Sequence, residues 1–421
     1  MLEQSFRVLT VASHPVPYAV VVFRELSRCP QIDFQVAYCS LRGQEAGLDP
    51  EFGIGVQWDV PLLDGYEWSH VPNRASGTES FLGLYNPGLW KLIREGRFDA
   101  LNCHLSYHCA SFWIAFFAAR LSGTAFLFGT DATSLTPRAS SRWKSHFKRF
   151  LWPSLFGLAD QVTVPSSAGA ELMRSLGIAN ERISLTHFVI DNNWWTDQAA
   201  RSDRLATRTA WGVSEHDLVV LFSAKLQPWK RPLDLLRAFA GAAVPNSVLV
   251  FAGEGPERGE IERQAAALGI ASRIRLLGFI NQSRLPSVYA SADLFVLPSS
   301  YDPCPVVVCE AMVCGLPVVI SDEIRGRFDL VQPGVTGNIF PCGDVNALAK
   351  NLRRLLSDRA ALAVLGENAR IRMTTWSPRE NVAATVEAIK RAVAHRRKDD
   401  SSSVTSSDSD SRPSARGSSK Q

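Results

Sequence analysis

At 421 residues the chain is long enough for two or three domains whose cores need no covalent staples. Hydrophobic residues make up 46% and charged ones 20%, which excludes wholesale disorder. The 45 basic and 41 acidic side chains leave a net charge of +4, too slight an excess for nucleic acid to be the main partner.

The eight cysteines form no C-x-x-C pair, and no histidine cluster falls at zinc-finger spacing, so they read as unpaired thiols in a reducing compartment. The N-terminus lacks a secretory pattern: Glu3 precedes Arg7, and the apolar stretch from Val8 is cut by Ser13 and His14. Residues Ala100 to Ala119 carry no charge, but Asn102, His104, Ser106, His108 and Ser111 are costly in lipid. A buried strand followed by a buried helix accounts for them better. The expected location is cytoplasmic.

Short β-rich runs alternate with helical patterns, the mark of parallel α/β sheets. The first half opens with a strand at Phe6–Val11, a loop through His14 to Pro17, a helix over Tyr18–Leu26 and a strand at Phe34–Cys39. A polar, Gly-rich insertion from Leu41 to Gly88 gives no clear periodicity. Strands at Ala100–Cys103, Ala125–Phe128, Gln161–Val164 and Arg182–Leu185 follow, with a helix over Ala110–Leu121. The polar stretch Asp197–Thr209 reads as a linker. The second half repeats the alternation, with strands at Leu218–Ser223, Ser247–Ala252, Arg273–Leu277, Leu294–Leu297 and Pro317–Ile320. Its helices fall at Pro232–Ala243, Glu257–Leu268, Gln282–Ala290, Val306–Cys314 and Asp344–Leu356. From Ser401 the composition is dominated by Ser, with Asp, Arg and Gly and few apolar side chains such as Val404 and Ala415, a tail that cannot bury enough surface to order itself. Two doubly wound halves of this kind would face each other across a cleft, with ligands outside the carboxyl ends of the strands.

Three clusters could carry chemistry. Gly253-Glu254-Gly255-Pro256 sits between a strand and a helix, but the next glycine, Gly259, falls one position late for a dinucleotide loop. Gly253 and Gly255 therefore read as a tight turn whose amides can approach a ligand. Lys225, Lys230 and Arg231 follow the strand Leu218–Ser223 and precede a helix, an arrangement suited to a diphosphate, or else a solvated basic loop. Asp302 lies in a loop, and Glu310 falls on a helix otherwise made of Val, Cys, Ala and Met. A carboxylate in so apolar a helix needs partners: either a structural ion pair or the vicinal hydroxyls of a sugar.

These segments resemble the retaining GT-B glycosyltransferases of family 4. The basic loop, Gly253 to Pro256, Leu277 to Ile280, Asp302 to Glu310, Gly315 to Val319 and Gly334 to Phe340 occur in that family's order. The resemblance covers Leu218 to Leu356 closely and the part before Asp197 only in architecture. It implies a GT-B fold with two Rossmann-like domains facing a central cleft. Residues 1–196 would bind acceptor and 197–377 the nucleotide sugar. A helix over 378–396, from Pro378 to about Ala394, would cross back, followed by a disordered tail at 397–421. Lys225 and Lys230 would hold the donor diphosphate, Glu310 the ribose and Asp302 the donor sugar. Phe279 and Ile280 would lie near the base, and Pro303, Cys304 and Val306 at the helix start that offers amides to the donor. Asp302 stands where the family has Glu, Pro305 where it has Gly, and Lys225 where it has Arg.

In the first half His14, His104 and Asp131 are acceptor candidates; core or rim histidines and a helix cap or turn are the competing readings. Within Arg138–Trp152, Trp143, Phe147, Phe150 and Leu151 share one helical face flanked by cations, as on a helix lying on anionic lipid or one packed on its own domain. The expectation is a metal-independent transferase moving a sugar from a nucleotide-diphosphate donor to a glycan or lipid-linked acceptor, without a cofactor. It would retain the anomeric configuration, serve envelope or exopolysaccharide synthesis, and touch a membrane on its cytoplasmic face. The competing reading is an inactive nucleotide-sugar sensor or scaffold.

Overall fold

Strands buried on both faces need apolar side chains throughout, and Leu218–Ser223 and Ser247–Ala252 are buried at every position. The computed structural model describes residues 5–49, 52–75, 80–135 and 142–408. The N-terminal half runs β1 (Phe6–Ala12), α1 (Pro17–Ser27), β2 (Ile32–Tyr38), β3 (Gly47–Asp49), β4 (Ile54–Val56), β5 (Glu67–His70) and α2 (Gly88–Gly96). It continues through β6 (Ala100–Cys103), α3 (Ala110–Leu121), β7 (Ala125–Gly129), α4 (Arg142–Gly157), β8 (Gln161–Val164), α5 (Ser167–Ser175) and β9 (Ile183–Leu185). Helices α6 (Asn192–Ala200) and α7 (Arg204–Ala210) lead into β10 (Leu218–Ser223), α8 (Pro232–Ala242), β11 (Ser247–Ala252), α9 (Arg258–Ala267) and β12 (Ile274–Gly278). Then come α10 (Leu285–Ala290), β13 (Leu294–Leu297), α11 (Val306–Val313), β14 (Val318–Ser321), α12 (Arg327–Leu330) and β15 (Gly337–Phe340). Helices α13 (Val345–Leu356), α14 (Arg359–Met373) and α15 (Pro378–Asp408) close the described chain.

The first sheet has the order β5-β2-β1-β6-β7-β8-β9 and the second β12-β11-β10-β13-β14-β15, and every pairing in both is parallel. Each sheet therefore reverses its winding beside its first strand, between β1 and β6 and between β10 and β13. The crevices at the carboxyl ends of those strands are where doubly wound sheets take ligands.

The halves are tied at a double crossing. Asn192 donates from its amide to the carbonyls of Met373 (2.7 Å) and Trp376 (3.2 Å), and the Trp376 indole donates to Phe188 O at 2.9 Å. Beyond it α15 returns to the first sheet, where Val386, Ala388, Ile389 and Ala392 share one apolar cluster with Val8, Ala100 and Leu127.

Three segments differ from the sequence expectation. The stretch read as a linker, Asp197–Thr209, is mostly helical, split between α6 and α7. Its polarity belongs to side chains that satisfy backbone carbonyls. Arg208 is buried and donates to Ser291 O (3.0 Å), Glu215 O (3.0 Å), Asp217 O (2.9 Å) and the Asp293 carboxylate (2.7 Å). Strand β15 falls within Gly334 to Phe340, where no strand is expected; Gly337 and Asn338 have low strand propensity. A Cβ on Gly337 would stand 1.9 Å from Val318 O, so this close strand approach requires glycine. Finally, α15 runs on to Asp408, into the segment expected to be disordered. Extending a formed helix adds one backbone bond per residue fixed, which favours such a polar continuation. Residues 409–421 of that tail, and 138–141 of the proposed lipid-facing segment, lie outside the described residues.

Candidate functional site

The strands on either side of the two winding reversals deliver the candidate residues. His14 follows β1, His104 follows β6, Lys225 follows β10, and Asp302 lies in the loop after β13. A cavity of about 790 Å³ is lined by His14, Tyr18, His104 and Asp131 from the first half, Tyr301 from the second and Asn381 from α15. Both histidines are held neutral at ordinary pH. His104 is exposed to the cavity, and the protein packed around it pushes its imidazole down to about 4. Burial does the same for His14, also to about 4, reinforced by Arg42 and Lys225 and opposed by Asp49. Burial, then Asp131 and Cys304, raise the Tyr18 hydroxyl to about 12, which places side chains of both halves close to α1.

The basic loop is shaped by the two glycines. Leu226 N–H donates to Glu254 O (2.8 Å) and Glu257 N–H to Leu226 O (3.0 Å). A Cβ on Gly253 would meet Ala224 O at 2.0 Å, and one on Gly255 would meet Leu226 O at 2.6 Å. Both glycines also hold positive φ, at 154° and 152°. Their role in this structure is to let the turn lie directly on the Lys225 loop.

Lys230 Nζ stands 2.5 Å from Asp302 Oδ2. Lys225 Nζ instead reaches the first half, 3.2 and 3.3 Å from the Asp49 carboxylate oxygens and 4.6 Å above the Phe52 ring. Phe279 packs edge-on against Phe52 (5.1 Å) and lies 6.2 Å from Trp58, while Ile280 rests on the core of the second half. Pro303 and Cys304 lie in the connection from Asp302 to α11, with Cys304 buried. Pro305 is the N-cap of α11 and supplies no side-chain cap; Val308 N–H donates to Pro305 O at 3.1 Å, and the Val306 and Val307 amides are left to solvent or a ligand.

Glu310 and Val306 open into a second cavity, of about 530 Å³, together with Gln282, Trp58 and Arg24; Val16 and Tyr18 line both cavities. The Glu310 carboxylate accepts from Tyr289 Oη at 2.8 Å and is hydrogen-bonded by Gln282. These partners are neutral, so the ion-pair reading of this carboxylate is replaced by a hydrogen-bonded one. Burial raises its pKa to about 7, and the two hydrogen bonds hold it from rising further.

The structure thus joins Lys230 to Asp302, Lys225 to the His14 neighbourhood, and His14 to His104 and Asp131. Glu310 and Val306 occupy the adjoining cavity. Sequence reasoning missed Asp49, Phe52, Trp58 and Tyr18. The first three lie in an insertion without periodicity, and nothing local marks a contact made 176 positions away. Among the described residues no group of three or more His, Cys, Asp or Glu side chains is placed to hold a metal ion.

Two doubly wound sheets facing a ligand-sized cleft define the GT-B architecture, and solved structures of that class superpose on this one. The Anabaena protein HepE, in complex with UDP and glucose, aligns with a TM-score of 0.70 at 19% identity, covering 91% of this chain and 99% of its own. Residues 203–372 match the family described as glycosyl transferases group 1, and residues 16–188 the glycosyl transferase 4-like domain. The chain belongs to the group 1, family 4-like glycosyltransferases. An uncharacterized glycosyltransferase of Methanocaldococcus jannaschii is 30% identical over 199 residues, 47% of this chain and 50% of that protein. A D-inositol 3-phosphate glycosyltransferase of Salinispora tropica is 33% identical over 209 residues, 47% of this chain and 43% of its own. The chain spans about half the length of these curated relatives.

Proposed function

We propose that the protein transfers a sugar from a nucleotide-diphosphate donor to an acceptor hydroxyl with retention of anomeric configuration. The observation that carries this reading is the cavity that His14, His104 and Asp131 line from one half and Tyr301, next to Asp302, from the other. The division of labour follows: residues 1–196 bind acceptor, 197–377 bind donor, and the helix from Pro378 ties the two. The cocrystallised UDP and glucose of the Anabaena neighbour make a UDP-linked hexose the first donor to test.

In this reading Lys225 and Lys230 stabilise the charge that leaves with the diphosphate. The bond from the acceptor oxygen to the anomeric carbon forms on the face from which the phosphate oxygen departs. The acceptor proton passes to that leaving oxygen. Asp302, already held by Lys230, receives hydroxyls of the donor sugar, and Glu310 those of the ribose. Phe279 and Ile280 flank the base, and the Cys304 and Val306 amides, with Pro303 beside them ahead of the uncapped start of α11, face the donor. His104, neutral at working pH, accepts a hydrogen bond from a neighbouring hydroxyl of the acceptor, beside His14 and Asp131.

The acceptor is a glycan or lipid-linked sugar of envelope or exopolysaccharide synthesis, met at the cytoplasmic face of a membrane. Support comes from α4, where Phe147 and Phe150 are exposed while Trp152, on the same helix, is buried and lines the acceptor cavity. No described helix is long and apolar enough to cross a membrane. Incubating the purified protein with UDP-, GDP- and ADP-sugars tests the reading through release of nucleotide diphosphate and through thermal stabilisation. A protein that neither binds nor turns over any of them would refute it.

A further inference from the structure

The insertion of the N-terminal half reaches across the cleft onto the loops that, in the proposed function, hold the donor. Strands β3 and β4 form an antiparallel hairpin, pairing Gly47–Asp49 with Ile54–Val56. From this hairpin Asp49 places both carboxylate oxygens on Lys225 Nζ, at 3.2 and 3.3 Å, and Phe52 sets its ring against Phe279. Just beyond it, Gln57 O accepts from the Asn281 amide at 2.7 Å. The Asp59 carboxylate accepts from Ser283 N–H at 2.9 Å and from Ser283 Oγ at 2.5 Å.

The carboxylate is fixed by the turn that carries it. Phe52 N–H donates to Asp49 Oδ1 at 3.0 Å and Gly53 N–H to Asp49 O at 2.8 Å, a local arrangement that aims the side chain. Its charge meets a lysine whose side chain is 25% exposed, while its own is 27% exposed. A phosphate oxygen bound at Lys225 would compete with this carboxylate for the same ammonium.

We propose that Asp49 is a built-in competitor for the donor diphosphate at Lys225, and that donor binding displaces it. The hairpin is then a strap over the donor loops, released at its tip while Asp59 and Gln57 keep its base attached. This rests on the reading of Lys225 as a diphosphate ligand. A nucleoside without phosphates leaves the Asp49–Lys225 pair intact. A diphosphate replaces it, because two or more phosphate charges shared by Lys225 and Lys230 outweigh one carboxylate. The strap thereby weakens diphosphate binding at Lys225 and leaves nucleoside binding unchanged.

Calorimetric titration of the full chain and its D49N variant with UDP, GDP and ADP, each beside its nucleoside, tests the proposal. Asparagine keeps the size and the turn acceptor and removes only the charge. The diphosphate that binds wild type is expected to bind D49N about two- to fivefold tighter, the scale of a partly exposed ion pair, while the nucleoside binds both equally. Equal or weaker diphosphate binding to D49N, or an equal gain for the nucleoside, overturns this proposal and leaves the donor reading standing. Binding of none of the diphosphates to either protein overturns both.

Discussion

Lys230 Nζ and Asp302 Oδ2 lie 2.5 Å apart although 72 positions separate them in the chain. Their loops leave β10 and β13, adjacent strands at the winding reversal of the second sheet, so the topology itself brings cation and carboxylate together. Both side chains are largely buried, and each fixes the rotamer of the other. Lys230→Ala is expected to lower kcat by about two orders of magnitude or more, the scale for losing a charge stabiliser. Asp302→Asn should reduce transfer while leaving nucleotide binding near wild type. The double variant should lose less than the product of the two single losses, since the partners act as a unit. Steady-state kinetics with nucleotide titrations checks this; near-native turnover by Lys230→Ala would remove the diphosphate site from Lys230.

Glu310 makes stability and binding depend on pH in opposite senses. Its pKa is about 7 in the folded chain against 4.5 for the free side chain. Below pH 4.5 neither state is ionised and there is no penalty. Between 4.5 and 7 the unfolded chain loses its proton first, so stability falls as pH rises, by about 3 kcal/mol in all, and levels off above 7. In the proposed role of Glu310 ribose hydroxyls donate to the ionised form, so nucleotide affinity should rise through the same neutral range. Glu310→Gln should flatten both trends, read by denaturant melts at pH 5 and 8 and by calorimetry at pH 6 and 8. Identical slopes in variant and wild type would place the titration elsewhere.

The strands were legible because buried parallel strands are continuous apolar runs, as in β10 and β11, and the carboxylate of Glu310 stood out against the Val, Cys and Ala around it. What stayed hidden was set by distant partners. The polarity of residues 197–209 suggests a linker, yet Arg208 is buried among carbonyls of residues that follow it. The identity of Tyr289 as the neighbour of Glu310 has no local signal, and neither has the meeting of Asp49 with Lys225. His14, His104 and Asp131 could be chosen from their positions after strands, but only the fold puts them around one cavity.

The glycines of the donor turn give a test that needs no substrate. At Gly255 an added methyl group would lie 2.6 Å from Leu226 O, against backbone that cannot swing aside. Gly255→Ala should cost about 1–3 kcal/mol and shift the Lys225 loop, weakening diphosphate binding. Gly259, on α9, has open space around its would-be Cβ, so Gly259→Ala should be neutral or stabilising by up to about 1 kcal/mol. Thermal melts of the two variants check the contrast; equal melting points would mean that the turn does not lie on the basic loop.

Helix α4 has an inward and an outward part. Trp152 is 4% exposed, donates from its indole to Tyr107 Oη at 3.0 Å and carries Lys148 Nζ 4.7 Å from its ring centroid. Phe147 and Phe150 are 56% and 85% exposed, and the cation Arg149 between them in sequence is exposed too. Such a face gains from apolar burial and from anionic headgroups together, and neither contribution depends on the catalytic residues. The variant Phe147→Ser/Phe150→Ser should therefore bind phosphatidylglycerol vesicles at least about tenfold more weakly, each phenyl ring contributing up to roughly 1.5–3 kcal/mol when fully buried. Transfer to a short water-soluble acceptor should be unchanged, because the substituted side chains point away from the cavity that Trp152 lines. Vesicle sedimentation read beside kinetics separates the two, and equal sedimentation of variant and wild type would show that this face meets something other than lipid.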